Sequence, residues 1–498
     1  MSSDQNMEDD SSPRNDNKKG EDSNKENPKD NNNDKRKEEL SKYFSIFYRY
    51  PKSSLLILLL ILIALPLISN FVKGNPLLIG PENYYHLYQA QISTGITFYY
   101  YPLHWFTSYV PEKIFFLLPI SITFLTIILW FSCARRLELK EEFTFVFTLL
   151  LITSPVFIFT SITFSFYTLF CLFLVSGFWL LSSDAQLPRY IAILPFVLTT
   201  IIDVCTSFFV LILLLIYYLY YYKRSLEHKR MLIIIIGVTI FGTIFNSLLL
   251  RVPLLQEPFH PTSLLPELIS DLGGESGIPF FTLLLALLAV SFSWKDKKYR
   301  YAYLILPLVI IAYLLSQHFL FPLFLVVAFF SALGLIHLFS SSWSLPSLKK
   351  FTFWLLMLGI FFSLLTYMNR VSDTGPSAVE VDSLHWIRDN PQDNSNQRIL
   401  SAPENGYYLE YFAQRQPLYE YHLASTYPGL VNTSEEIFAS TYISTTFPLL
   451  QQYDLYLFYL DPKTRERYPS DQGLFFLLKN ERFKMLYSHE NIEVWQFE

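Results

Sequence analysis

The chain has 498 residues, 51% of them hydrophobic and 18% aromatic, only 16% charged, and a net charge of −5. A soluble protein carries about a quarter charged residues, so this composition excludes an ordinary water-soluble globule; the small net charge and the lack of a basic patch with interleaved aromatics also argue against nucleic acid as a partner. The three cysteines, Cys133, Cys171 and Cys205, lie in or beside apolar runs without CxxC or Cys/His spacing, which excludes a disulfide framework and a structural zinc site.

In chain order, residues 1–50 come first. Before Leu40 the only apolar side chains apart from two prolines are Met1 and Met7, amid Asn, Asp, Lys, Glu and Ser. Such a segment cannot bury enough surface to offset its ordering entropy, so a disordered tail is expected. Ser53–Val72 is uncharged and has the length needed to cross about 30 Å of hydrocarbon. Ten further apolar stretches follow between Ile114 and Tyr367, so about eleven spans are expected by the length rule. Basic clusters at Arg135-Arg136, Arg189, Lys223-Arg224, Lys295–Arg300 and Lys349-Lys350 then all fall on the side of the N-terminal tail. The positive-inside rule makes that side cytoplasmic. The expected architecture is mainly α: a polytopic transmembrane helical bundle over 51–369, with outer loops at 73–113 and 251–278. A small extracytoplasmic α/β domain over 370–498 follows, extracellular or lumenal.

Within the last region, Val379–Asn390 has helical apolar spacing and stops at Asn390-Pro391. Arg398–Ala402 and Asp454–Leu460 read as strands, Leu474–Leu478 as a short helix, and Lys484–Ser488 with Ile492–Phe497 as a hairpin.

The first outer loop, Gly80-Pro81-Glu82-Asn83-Tyr84-Tyr85-His86-Leu87-Tyr88 and then Tyr101-Pro102-Leu103-His104-Trp105, holds only two acids, Glu82 and Glu112. Its plain reading is an interfacial aromatic belt around a solvated glutamate. The sharper reading makes Glu82 a general base or the ligand of a divalent cation such as Mg or Mn. The second loop carries Arg251, Glu257, His260, Glu267, Asp271 and Glu275. Arg251 leaves a span directly, and either pairs with a lipid phosphate or snorkels to the surface. Asp203 interrupts an apolar run. Two short helices there would make it a cap beside Thr206, whereas a single span would make it a buried functional acid.

Three stretches carry a resemblance. They are Pro81–Leu87 with Tyr101–Trp105, then Leu268–Gly277, and then Leu384–Asn390 with Ile399–Tyr408 and Tyr411–Pro417. In them the chain resembles the GT-C membrane glycosyltransferases, and among these the archaeal relatives of the oligosaccharyltransferase catalytic subunit. The resemblance implies a sugar donor on a polyprenyl or dolichyl phosphate and transfer on the outer face. It places Glu82 at the reaction centre, with His86 as a further catalytic candidate and Tyr85, His104, Asp271 and Glu275 as substrate-binding candidates; Arg251 joins these on physical grounds only, as a phosphate partner. Asp271 and Glu275 would belong to a mobile flap. Two departures qualify this. The Trp-Trp-Asp-Tyr-Gly acceptor motif is replaced by Ala402-Pro403-Glu404-Asn405-Gly406, so sequon recognition is not implied. The turn Thr160–Ser165 lacks the family's acid pair, so a two-carboxylate metal cage is not expected there. A non-catalytic lipid- or glycan-binding relative is the alternative, and a transporter, which would call for internal repeats, ranks behind both.

Overall fold

The computed structural model describes residues 50–92, 107–220, 226–249, 264–273, 277–296, 299–341, 343–390, 398–419, 428–468 and 473–497. The polar tail to residue 49, and with it the expectation of disorder there, lies outside them, as do His104, Arg251 and Glu275.

Helices dominate, and their ends follow local chemistry. The first described helix, Pro51–Lys73, opens on a proline whose missing N–H costs nothing there and closes on Gly74 at φ 74°. Glu141–Ile152 and Pro155–Ile162 are bent by 68°. The bend sits where Ser154 caps the second helix, its Oγ accepting from Phe157 N at 3.2 Å, and Pro155 cannot continue the first. Ile193–Ile202 gives way to Val204–Tyr220 at Asp203, and Arg300–Leu315 gives way to the turn before Leu320–Ser340 at Ser316.

Among the described residues, five helices are long and apolar enough to cross a bilayer, and the bent pair makes a sixth. Five more apolar helices are only 10–17 residues long. The eleven crossings expected from sequence are therefore not established: that count needs each short helix to be a span. Large apolar side chains such as Phe71, Phe241 and Leu248 point outward from the long helices, as lipid-facing positions do. Between helices the contacts are close. A Cβ on Gly334 would come within 2.3 Å of Leu285 O, with Ala289 alongside, the small-residue packing that lets helix backbones approach in a membrane. The three cysteines are buried, and none is in a disulfide.

After Pro346–Ser372 the chain forms a helix, Ala378–Asp389, started by a capping box in which Ser377 and Glu380 satisfy each other's backbone N–H groups. A four-stranded sheet follows: β1 (Arg398–Leu400), β2 (Leu455–Leu460), β3 (Phe483–His489) and β4 (Ile492–Phe497), in the order β1-β2-β4-β3. β1 and β2 are parallel, and the β3–β4 hairpin pairs antiparallel with β2 through β4. Alternation along β2 sends side chains to both faces. Phe458 and Leu460 join Ile437, Phe438, Leu474 and Phe475 on one side. Leu457 and Tyr459 join the other core, which runs without a break through Leu384, Tyr407 and Leu409 to Tyr84, Leu87, Phe115 and Phe164. That second core fuses the sheet domain to one end of the helical bundle.

Candidate functional site

The shared core is built around the short helix Pro81–Ile92. Gly80 enters it at φ 89°, and a Cβ there would lie 2.9 Å from Thr163 Oγ1, so glycine is required both for the backbone and for the close approach. Glu82 occupies the first helical turn, where the helix dipole favours a carboxylate. It is half-buried and its Oε2 is fully covered. His86 follows one turn later on the same face. It is buried between the rings of Tyr85 and Phe164, each centred 5.4 Å away. Tyr85 also packs on Tyr407, at 5.1 Å.

Asn83, fully buried, fixes the helix from one side. Its Nδ2 donates to Ile79 O at 2.5 Å and to Ile162 O at 3.4 Å, and its Oδ1 accepts from Phe164 N at 2.7 Å. The turn 160–165, in which sequence comparison finds no acid, is therefore laid directly against the helix that carries Glu82. Tyr84 fixes the opposite side. Its hydroxyl donates to Leu78 O at 3.0 Å, and its ring meets Tyr408, Tyr411 and Phe412 at 5.1–5.3 Å.

The segment from Pro403 to Ala413 reaches the same place. Pro403–Asn405 is one turn of 3-10 helix, Gly406–Tyr408 continues it, and Leu409–Ala413 widens into a π-helix, a form that recurs at functional sites. Asn405 Nδ2 donates to Ser401 Oγ at 3.0 Å, and Glu404 pairs with Arg467 at 2.9 Å. The Tyr411 hydroxyl donates to Glu112, at the far end of the first loop. Burial, followed by this contact, pushes the Tyr411 phenol well above its ordinary range. Burial does the same to Tyr84, with Tyr411 and Glu112 adding to it. Lys73 pairs with Asp373 at 2.7 Å, and Asn75 Oδ1 accepts from Ala378 N at 3.1 Å. Both ends of the first loop thus hold the sheet domain.

Asp271 lies in a separate turn. It sits in the 3-10 turn Ser270–Leu272, exposed, and its Oδ2 accepts from Phe280 N at 2.7 Å, capping the helix Phe280–Ser293. The base of the expected flap is tied down: Ile278 N donates to Leu268 O at 2.7 Å, and Arg370 Nη2 to Ser270 O at 2.6 Å. Asp203 is a cap, as the reading with two short helices has it. Its backbone is extended, and its Oδ2 accepts from Thr206 N at 2.6 Å.

The structure thus groups Glu82, Tyr85 and His86, with Asp271 in a separate capped turn. Sequence reasoning does not find the clamping contacts of Asn83, Glu112 and Tyr411. A buried Asn two residues after a positive-φ glycine leaves no distinctive mark in a sequence. Glu112 was visible only as the loop's second acid.

With this geometry in view, the comparisons with known proteins are informative. No family model matches the chain, and no curated protein matches its sequence. Solved structures do: the chain has the fold of a membrane oligosaccharyltransferase, a GT-C enzyme. The matches are to AglB of Archaeoglobus fulgidus. One is a crystal structure of the enzyme tethered to an acceptor peptide containing the NVT sequon; at 13% identity it covers 91% of this chain and 75% of that one, with a TM-score of 0.52. A second, in complex with an inhibitory peptide and a dolichol-phosphate, gives 13% identity, the same coverage and a TM-score of 0.51. The apo form gives 0.52, covering 83% of this chain and 70% of that one. At such identity the likeness is one of fold, and chemistry has to be argued from this chain's own residues.

Proposed function

We propose that the protein is a membrane glycosyltransferase that moves a sugar or glycan from a polyprenyl- or dolichyl-phosphate-linked donor to an acceptor on the non-cytoplasmic side. The reading rests on one observation above all. Glu82 is a covered carboxylate on a short helix clamped between the helical bundle and the sheet domain, in a fold shared with an enzyme solved bound to dolichol-phosphate.

Glu82 takes the proton of the acceptor nucleophile as that atom bonds to the anomeric carbon, while the carbon–oxygen bond to the donor phosphate breaks and the phosphate leaves with the electron pair. His86 shares its helical face and orients the acceptor. Tyr85, His104, Arg251, Asp271 and Glu275 are proposed as substrate-side residues, Arg251 against the lipid phosphate and Asp271 through the placement of its turn, which Asn would keep. Glu82 is also the proposed ligand for a Mg or Mn ion. Among the described residues, however, no three His, Cys, Asp or Glu side chains converge as a metal site, and no step is routed through a metal. The N-terminus is proposed to be cytoplasmic.

A second reading, a non-catalytic relative that binds lipid-linked glycans, is favoured by the acid-free turn Thr160–Ser165 lying against the helix of Glu82. Incubating purified protein with a labelled dolichyl-phosphate-linked donor separates the two. The enzyme transfers label, and Glu82→Gln lowers the rate by about 10²–10⁴-fold. Transfer unchanged in Glu82→Gln removes the residue from the mechanism; binding of donor without transfer supports the second reading.

A further inference from the structure

Three helix breaks meet at the end of the bundle that carries Glu82: the turn 162–166, Asp203, and the turn 316–319. Two are extended single residues with nearly identical backbones, Asp203 at φ −155°, ψ 131° and Ser316 at φ −158°, ψ 131°. Side chains tie all three together. The Tyr167 hydroxyl donates to His318 O at 3.0 Å, and the Phe166 ring stacks on the His318 imidazole with centroids 5.0 Å apart. His318 Nδ1 lies 3.8 Å from Asp203 Oδ1. From the first break the connection to the reaction centre is direct, because Phe164 N donates to the Oδ1 of Asn83, the neighbour of Glu82.

The charge of Asp203 needs explaining. Its side chain is only 11% exposed and that of His318 only 24%. Burying a carboxylate is costly, and Asn would cap the Val204–Tyr220 helix equally well. One oxygen, Oδ2, makes the cap; the other, Oδ1, faces the imidazole. The cap explains an Asx residue, and the carboxylate oxygen that the cap leaves over lies beside the imidazole.

We propose that Asp203 and His318 are positioning residues for Glu82: the pair holds the 316–319 turn, which holds Tyr167 and Phe166, which hold the 162–166 turn against Asn83. The mechanistic consequence rests on Glu82 being the base, whereas the positional one does not, and the experiment keeps them apart. In the full-length protein bearing Glu82→Cys, the alkylation rate at position 82 is followed by peptide mass spectrometry, with the buried Cys133 and Cys171 as internal controls. Asp203→Asn keeps the cap and removes the charge; His318→Gln removes the imidazole and leaves the cap untouched. Both are expected to change the rate at position 82 several-fold, with Asp203→Glu returning it toward the parent. An unchanged rate in either of the first two overturns the proposal, and if one variant fails to fold the other decides. In the enzyme with Glu82 intact, Asp203→Asn is expected to lower kcat about 10–100-fold with KM for the lipid-linked donor unchanged. Label transfer unaffected by Glu82→Gln would sink the base assignment while leaving the alkylation result standing.

Discussion

Glu82 and Asp271 are both carboxylates on short segments beside the helical bundle, and the structure treats them differently. Glu82 is half-buried, on a helix fixed by Asn83 on one side and Tyr84 on the other. Asp271 is exposed, and one of its oxygens is engaged in starting a helix. On the proposed function the acid in the covered, doubly clamped position is the one that does the chemistry, whereas the acid at a helix start has a structural task. Residue type and loop location made the two look alike in sequence. Burial and hydrogen-bond partners separate them.

That contrast can be broken by perturbing each clamp. The largest effect is expected at Asn83. Asn83→Leu strands the Phe164 N–H and the Ile79 and Ile162 carbonyls in a dry site, a loss of about 2–4 kcal/mol, read as a drop in the unfolding midpoint in detergent together with loss of transfer. Gly80→Ala comes next, at about 1–3 kcal/mol, because alanine at φ 89° is strained and its Cβ meets Thr163. Asp271→Ala should cost about 1 kcal/mol of cap energy, and Asp271→Asn almost nothing; a large loss of transfer in Asp271→Asn would put that acid back at the reaction centre. Tyr411→Phe should cost about 1 kcal/mol by removing the Glu112 contact.

The same tyrosines set a pH dependence. Folded Tyr84 and Tyr411 hold their protons above the ordinary phenol range, burial being the main cause. Unfolded phenols ionise near about pH 10. Their contribution is therefore fully present below that pH and is lost as pH rises beyond it, so an unfolding midpoint followed from pH 8 to 11 should fall only at the alkaline end.

The elements of the sheet domain were legible because strand alternation and the Asn390-Pro391 stop are local signals. Expected strands at 454–460 and 492–497 correspond to β2 and β4. Spans were legible as apolar stretches but not as crossings: Pro155, Asp203 and Ser316 break or bend helices at points where hydropathy alone stays high. Glu82 was legible as a lone acid in an aromatic loop. Its setting was not, because the Asn83–Phe164, Tyr84–Tyr408 and Tyr411–Glu112 contacts join residues far apart in the chain. No periodicity reports such pairings.

The most direct test of the central claim sets Glu82→Gln beside Asp271→Asn in one preparation, with transfer from a labelled dolichyl-phosphate-linked donor followed in a single turnover. The account predicts a rate about 10²-fold or more lower for Glu82→Gln and near the parent rate for Asp271→Asn. Equal rates in the two variants, or the reverse order, would contradict it.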